Sequence, residues 1–220
     1  MGGARREGFD AIKGSVEQLD RAQFYLDRSM MALDVVVDRK VGRVLGIQGT
    51  RGNGDGLLAR RNPVAALLTH GPVHTADLST LEVAYSPPFA AAMDIINTAG
   101  NVAENILNQR CKPISLGEFK KLWEDRENNG LYILDARARH QSEEISARHS
   151  KFWHNIPADE IRKRIDEVPK DKPLLLVCKT GLRSHDAQLI LDSPGVTDNR
   201  SPTGGTSGVG RARMGIQGVL

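Results

Sequence analysis

Hydrophobic positions change rhythm about halfway along this chain. In the first half, residues 31–38 (MALDVVVD) alternate and are rich in Val, which predicts a strand. Residues 39–42 supply a turn and residues 43–48 (RVLGIQ) a returning strand, so a β-hairpin is expected. Residues 49–56 (GTRGNGDG) read as a glycine-rich loop. Helices are expected over residues 57–70, which Pro63 must start or kink, over a short stretch at 75–85 that ends before Ser86-Pro87-Pro88, and over 90–108. In the last of these Met93, Ile96, Val102, Ile106 and Leu107 are the apolar positions, and Gly100 lies inside. The first twenty residues show no clear apolar period, so structure is expected to begin near Gln23, with residues 1–22 poorly ordered.

After a linker at residues 109–113 the pattern becomes one of strands alternating with helices. Ser115 and Glu118 form a Ser-x-x-Glu capping box, behind which Phe119, Leu122 and Trp123 share one helix face until Asn128-Asn129-Gly130 stops it. Residues 131–134 (LYIL) and 174–177 (LLLV) are short, continuously apolar strands, the kind buried on both faces of a parallel sheet. Pro157 is expected to open another helix with Ile161, Ile165 and Val168 inward, closed by Pro169. The predicted class is α/β: an α+β domain with an antiparallel hairpin over residues 23–108, then a domain with a mainly parallel sheet over residues 114–208, and a tail at 209–220.

Composition narrows the functional classes. The 220 residues are 40% hydrophobic, a globular value, and 30 Lys and Arg against 27 Asp and Glu leave a net charge of only +3. Bulk electrostatics thus give no support for a nucleic-acid or membrane-surface role, and no apolar run approaches the ~20 residues of a membrane span. Residues 1–20 lack the apolar core of a secretory signal. Two cysteines, Cys111 and Cys178, exclude a disulfide scaffold and fit a reducing, cytoplasmic compartment. His70 and His74 are separated by Gly71-Pro72, which forbids a helical metal pair, so no metal is expected.

Candidate chemistry centres on Cys178. It directly follows the strand at 174–177 and precedes Lys179, Thr180, Gly181, Leu182 and Arg183, then a helix through Ala187, Leu189 and Leu191. The thiol therefore stands where a parallel strand ends and a helix begins, the place at which open α/β sheets bind ligands. Unpaired N–H groups there stabilise an anion, and Lys179 and Arg183 add positive charge. Gly181 lets the short loop curl its N–H groups around sulfur. Cys111, between Arg110 and Lys112, is read as incidental, although those cations favour reactivity.

The segment Cys178-Lys179-Thr180-Gly181-Leu182-Arg183-Ser184 resembles the active-site loop of rhodanese-type sulfurtransferases. Leu134-Asp135-Ala136-Arg137, Asn155-Ile156-Pro157 and Thr203-Gly204-Gly205 are similar to further segments of that family, over about residues 114–208. The resemblance implies that Cys178 carries sulfane sulfur as a persulfide, that residues 179–183 cradle it, and that Asp135 and Arg137 form a polar pair supporting the loop. Four residues separate Cys178 from Arg183, as in sulfur-handling members; related phosphatases have one more.

The first half carries a second resemblance. Gln23-Phe24-Tyr25, residues 42–48 (GRVLGIQ), Asp77-Leu78 and Ala84-Tyr85-Ser86-Pro87-Pro88-Phe89 are similar to the C-terminal dimerisation domain of pyridine nucleotide–disulfide oxidoreductases. The nearest branch is that of coenzyme A-disulfide reductases, NADH oxidases and polysulfide reductases. This implies a homodimer through the first domain, with Tyr25 and Tyr85 near a partner subunit's flavin in a full-length relative; in the chain alone they are packing residues. The FAD and NAD(P)H domains of that family have no counterpart in these residues, so no cofactor is expected in this chain, and disulfide reduction by the chain alone is not expected. Three functions follow: a sulfurtransferase with a sulfane-sulfur donor and a thiol acceptor, the dimerising and sulfur-relaying tail of a flavin-dependent reductase, or a persulfide-binding sensor that loads Cys178 without turnover.

Overall fold

Val-rich alternation around a tight turn builds the first unit. The computed structural model describes residues 1–50, 54–196 and 198–211, which divide into two units, Met1–Gln109 and Arg110–Leu220. In the first, β2 (Met30–Asp38) and β3 (Val44–Thr50) pair antiparallel with Val35 opposite Ile47, and Gly42 turns the chain at φ +69°. The N-terminal expectation is corrected. After α1 (Gly2–Arg6), residues Ala11–Leu19 form β1, a full strand paired antiparallel with β2. Ile12 and Val16 do point into the core with the period of a strand, but Gly14 stands between them. A Cβ at Gly14 would sit 3.1 Å from Val35 and 3.4 Å from Ala103, so close packing requires the residue that hides the pattern.

Helices cover one side of this sheet: α2 (Gly54–His70), α3 (Thr75–Ser79) and α4 (Ile95–Leu107). Pro63 lies inside α2 rather than at its start. The helix expected over 75–85 stops at Ser79, because Asn97 Nδ2 donates to the carbonyls of Leu78, Ser79 and Leu81 and takes over the chain there. The helix expected from residue 90 starts at Ile95: Asp94 caps it by accepting the Ile96 N–H at 3.0 Å, and Met93 remains outside and exposed. The same carboxylate accepts from the buried Arg60 at 2.9 Å, and Arg60 Nη2 donates to the Phe89 carbonyl at 2.7 Å. Leu33, Val35, Val37, Ile95, Ile96, Ala99 and Ala103 form the centre of the core.

The second unit is a parallel five-stranded sheet of order β4-β8-β7-β5-β6, made from β4 (Pro113–Ile114), β5 (Tyr132–Asp135), β6 (Trp153–Asn155), β7 (Leu174–Val177) and β8 (Asn199–Pro202). All four residues of the central β7 are buried, and the alternation splits them between two cores. Leu175 and Val177 join Phe119, Trp123, Ile133 and Trp153; Leu174 and Leu176 join Leu134, Ile161, Ala187 and Leu191. The capping box opens α5 (Leu116–Glu124), with the Glu118 N–H donating to Ser115 Oγ at 3.1 Å and the Ser115 N–H to Glu118 at 2.9 Å. Those bonds from Ser115 hold the Glu118 carboxyl below its ordinary range.

Two further expectations are corrected in this unit. Pro157 opens no α-helix: successive tight turns, such as the Glu160 N–H to the Pro157 carbonyl at 2.8 Å, lead to a 3₁₀ turn at Ile165–Glu167. Ile161 and Val168 are still buried, so the apolar spacing reports the core without the helix. Conversely α6 (Arg139–Arg148) is a helix with few apolar residues, buried only through Ser142 and Ile145. After α7 (Leu182–Asp192) and β8, α8 (Gly205–Arg211) closes the described chain with Val209 in the core; residues 212–220 of the expected tail lie outside the described residues. Among the described residues no helix is long and apolar enough to cross a membrane.

Candidate active site

The end of β7 places Cys178 at the C-terminal edge of the sheet, and the Gly181 N–H donates to its Sγ at 3.2 Å. Gly181 is also the residue before α7 and adopts φ +112°, a left-handed conformation that a side chain would strain. Among the described residues no side chain caps α7, which leaves the positive end of the helix without a side-chain acceptor. Behind the thiol the backbone is fixed from the far side. The Thr206 N–H donates to the Cys178 carbonyl at 2.8 Å and the Ser207 N–H to the Lys179 carbonyl at 3.0 Å. These bonds are possible because residue 205 is glycine. A Cβ there would stand 2.3 Å from the Cys178 carbonyl oxygen, and its φ is +56°.

The residues expected around the loop fall in three places. Cys178 itself is 1% exposed, the base of the loop. Lys179 is exposed, Thr180 is half-buried and Leu182 is 71% exposed. Arg183 is half-buried, donates from Nη2 to Gln141 at 3.3 Å, and lines a cleft beside the loop. Asp135 and Arg137 lie under the end of β5 as a buried pair. The Asp135 carboxylate accepts from Arg137 Nη2 at 2.6 Å, Ser142 Oγ at 2.7 Å and Trp153 Nε1 at 2.9 Å. The Ala136 N–H then donates to the Val177 carbonyl at 2.8 Å, which ties this polar knot to the residue before Cys178.

Cys111 lies elsewhere in the unit, and burial pushes its thiol up to about 11, so it stays protonated near neutrality despite the flanking cations. Sequence reasoning missed Gln141, Ser142 and Trp153 as contributors, since no motif joins them to the loop. Thr203-Gly204-Gly205 did carry a signal, but the role of Gly205 against the Cys178 carbonyl is visible only in three dimensions. In the first unit Tyr25 is half-buried and Tyr85 is 54% exposed, in loops joined by the Ala22 N–H to the Pro87 carbonyl at 3.2 Å.

No family model and no curated protein sequence matches the chain. Solved structures do. The chain is similar over 95% of its length to reduced Bacillus anthracis CoADR-RHD, with 25% sequence identity and a TM-score of 0.81. It is similar over 93% of its length to a NAD-dependent persulfide reductase from A. fulgidus, with 30% identity and a TM-score of 0.77. It spans 36% and 35% of those two chains, about a third of each. The chain thus has the build of their C-terminal part, a pyridine nucleotide–disulfide oxidoreductase dimerisation-type domain followed by a rhodanese-like domain.

Proposed function

We propose that the second unit is a rhodanese-type sulfurtransferase module whose sulfur carrier is Cys178. The observation that carries this reading is a thiol at the end of a central parallel strand, under the Gly181 N–H and beside an uncapped helix start. The Cys178 thiolate attacks the outer sulfur of a donor such as thiosulfate. The donor's S–S bond breaks, its electron pair leaves with sulfite, and a persulfide forms on Sγ. Loop N–H groups, Lys179 and Arg183 offset the negative charge of donor and persulfide. An acceptor thiolate then attacks the outer sulfur, and the electron pair of the breaking S–S bond returns to Sγ. Because Cys178 is only 1% exposed, loading requires residues 179–183 to yield. The test is thiocyanate formation from thiosulfate and cyanide: wild type turns over and Cys178→Ser does not, whereas equal rates overturn the reading.

The similarity along nearly the whole chain favours a second reading of the same cysteine. Here the chain is the dimerising portion of a flavin-dependent disulfide, polysulfide or persulfide reductase, and Cys178 passes sulfur to a flavin centre supplied by segments other than these residues. The first unit would dimerise through the apolar side chains that Phe24, Leu26, Tyr85, Phe89 and Met93 expose. Sedimentation at micromolar concentration tests it, since a strict monomer contradicts the dimer. In either reading the module works in the cytoplasm, with no nucleic-acid or membrane partner.

A further inference from the structure

A cleft of about 520 Å³ opens beside the cysteine loop, a volume suited to a small molecule. The chain segments that make it all leave the C-terminal ends of parallel strands: Ala136 and Ala138 follow β5, Pro157 and Ala158 follow β6, and Arg183 belongs to α7 after β7. Half of its lining is short and apolar, from Ala136, Ala138, Pro157 and Ala158. Its rim is charged and balanced, with two guanidiniums, Arg139 and Arg183, against two carboxylates, Asp159 and Glu160. Arg139 commits Nη2 to Glu160 at 2.6 Å and Arg183 commits Nη2 to Gln141 at 3.3 Å, and each guanidinium has five donors in all. Glu160 is anchored independently by Arg164 at 2.9 Å.

We propose that this cleft seats the sulfur acceptor, and that the acceptor is a small thiol of the amino-acid type, bearing a carboxylate and an ammonium group; the proposal rests on the sulfurtransferase reading of Cys178. A polyanionic acceptor meets Asp159 and Glu160, and a polycationic one meets Arg139 and Arg183. A zwitterion satisfies both signs at once. Its carboxylate goes to Arg139 and Arg183, its ammonium to Asp159 and Glu160, and the Ala and Pro lining takes the short methylene that carries sulfur. Arg183 ends the cysteine loop and lines the cleft, so an acceptor seated there adjoins the segment that must yield before its sulfur reaches the persulfide. In the transfer the acceptor thiolate forms an S–S bond to the outer sulfur while the bond from that sulfur to Sγ breaks, with no net oxidation.

The experiment compares kcat/KM for L-cysteine, cysteamine and 3-mercaptopropionate at matched thiolate concentration, using protein loaded from thiosulfate, with cyanide as a separate acceptor. L-Cysteine is expected to exceed each of the other two by about tenfold, the worth of one charged hydrogen bond. Arg139→Ala is expected to bring cysteine down towards cysteamine; the Arg139 side chain is 67% exposed, so the fold tolerates the change. Turnover with cyanide but equal rates for the three thiols, or a preference that survives Arg139→Ala, overturns the cleft and leaves the sulfurtransferase reading standing. If Cys178 never loads sulfur, that reading fails separately. NMR titration with S-methyl-L-cysteine then decides the cleft: shifts at residues 136–139 and 157–160 that Arg139→Ala abolishes support it, and their absence in wild type overturns it.

Discussion

Replacing Gly205 by alanine probes how the site is held, because the change is made outside the loop it perturbs. The new Cβ would lie 2.3 Å from the Cys178 carbonyl oxygen and 2.8 Å from that of Lys179. Ordinary contact begins near 3.4 Å, so the backbone must separate by about 1 Å. Two hydrogen bonds run along that seam, from the Thr206 and Ser207 N–H groups, and each is worth about 0.5–1.5 kcal/mol. The φ of +56° adds about 1 kcal/mol for a residue with a side chain. Together the second unit should lose roughly 2–4 kcal/mol. A shift of about 1 Å at the cysteine should also cost about a hundredfold in turnover. Gly195→Ala is the matched control, since Gly195 has φ +88° but, among the described residues, no atom within 4 Å of the place its new Cβ would take. Urea unfolding and thiocyanate formation are measured on both variants. If Gly205→Ala matches Gly195→Ala in both stability and turnover, the seam does not hold the loop and the reasoning is refuted.

Other expectations follow from buried polar knots and from burial of a histidine. Asp135→Asn keeps the shape but removes the charge that Arg137 faces, leaving a buried guanidinium without a carboxylate; about 3–5 kcal/mol of stability should be lost, read by urea unfolding of the second unit. Arg60→Met strands the buried Asp94 and the Phe89 carbonyl and should cost a similar ~3–5 kcal/mol in the first unit, with thiocyanate formation retained. Burial holds the His154 imidazole below its ordinary value of 6.5, so the unfolded chain takes up that proton at higher pH than the folded one. Its contribution is complete above about 6.5 and is lost as pH falls below it. His154→Phe retains the stack on Tyr132, whose rings lie 4.0 Å apart, and should flatten the fall of Tm between about pH 7 and 5; an unchanged slope refutes the assignment.

Much of this architecture was legible because period and chemistry agreed. Alternating Val residues set the β2–β3 hairpin, unbroken apolar runs marked β5 and β7, and Ser115 with Glu118 marked the start of α5. The misses share a cause, which is that packing overrode local pattern. Gly14 blanks the middle of β1 because α4 needs the space, and α6 is positioned by two inward residues on an otherwise polar helix. Ile161 and Val168 have helix-like spacing, yet turns deliver them to the same core. At the site, the Cys178 loop could be read from local sequence because strand, glycine and helix are contiguous. Of the groups that brace it from distant segments, Thr206, Ser142 and Trp153 could not, and Gly205 showed as part of Thr203-Gly204-Gly205 without its role against the Cys178 carbonyl.

Every role proposed for the second unit depends on Cys178 carrying sulfane sulfur. Intact-mass and peptide-mapping spectrometry after incubation with thiosulfate measures it most directly. A gain of one sulfur atom is expected on the peptide containing Cys178, reversed by cyanide and absent in Cys178→Ser. No gain, or a gain that persists in Cys178→Ser or resides on Cys111, contradicts it.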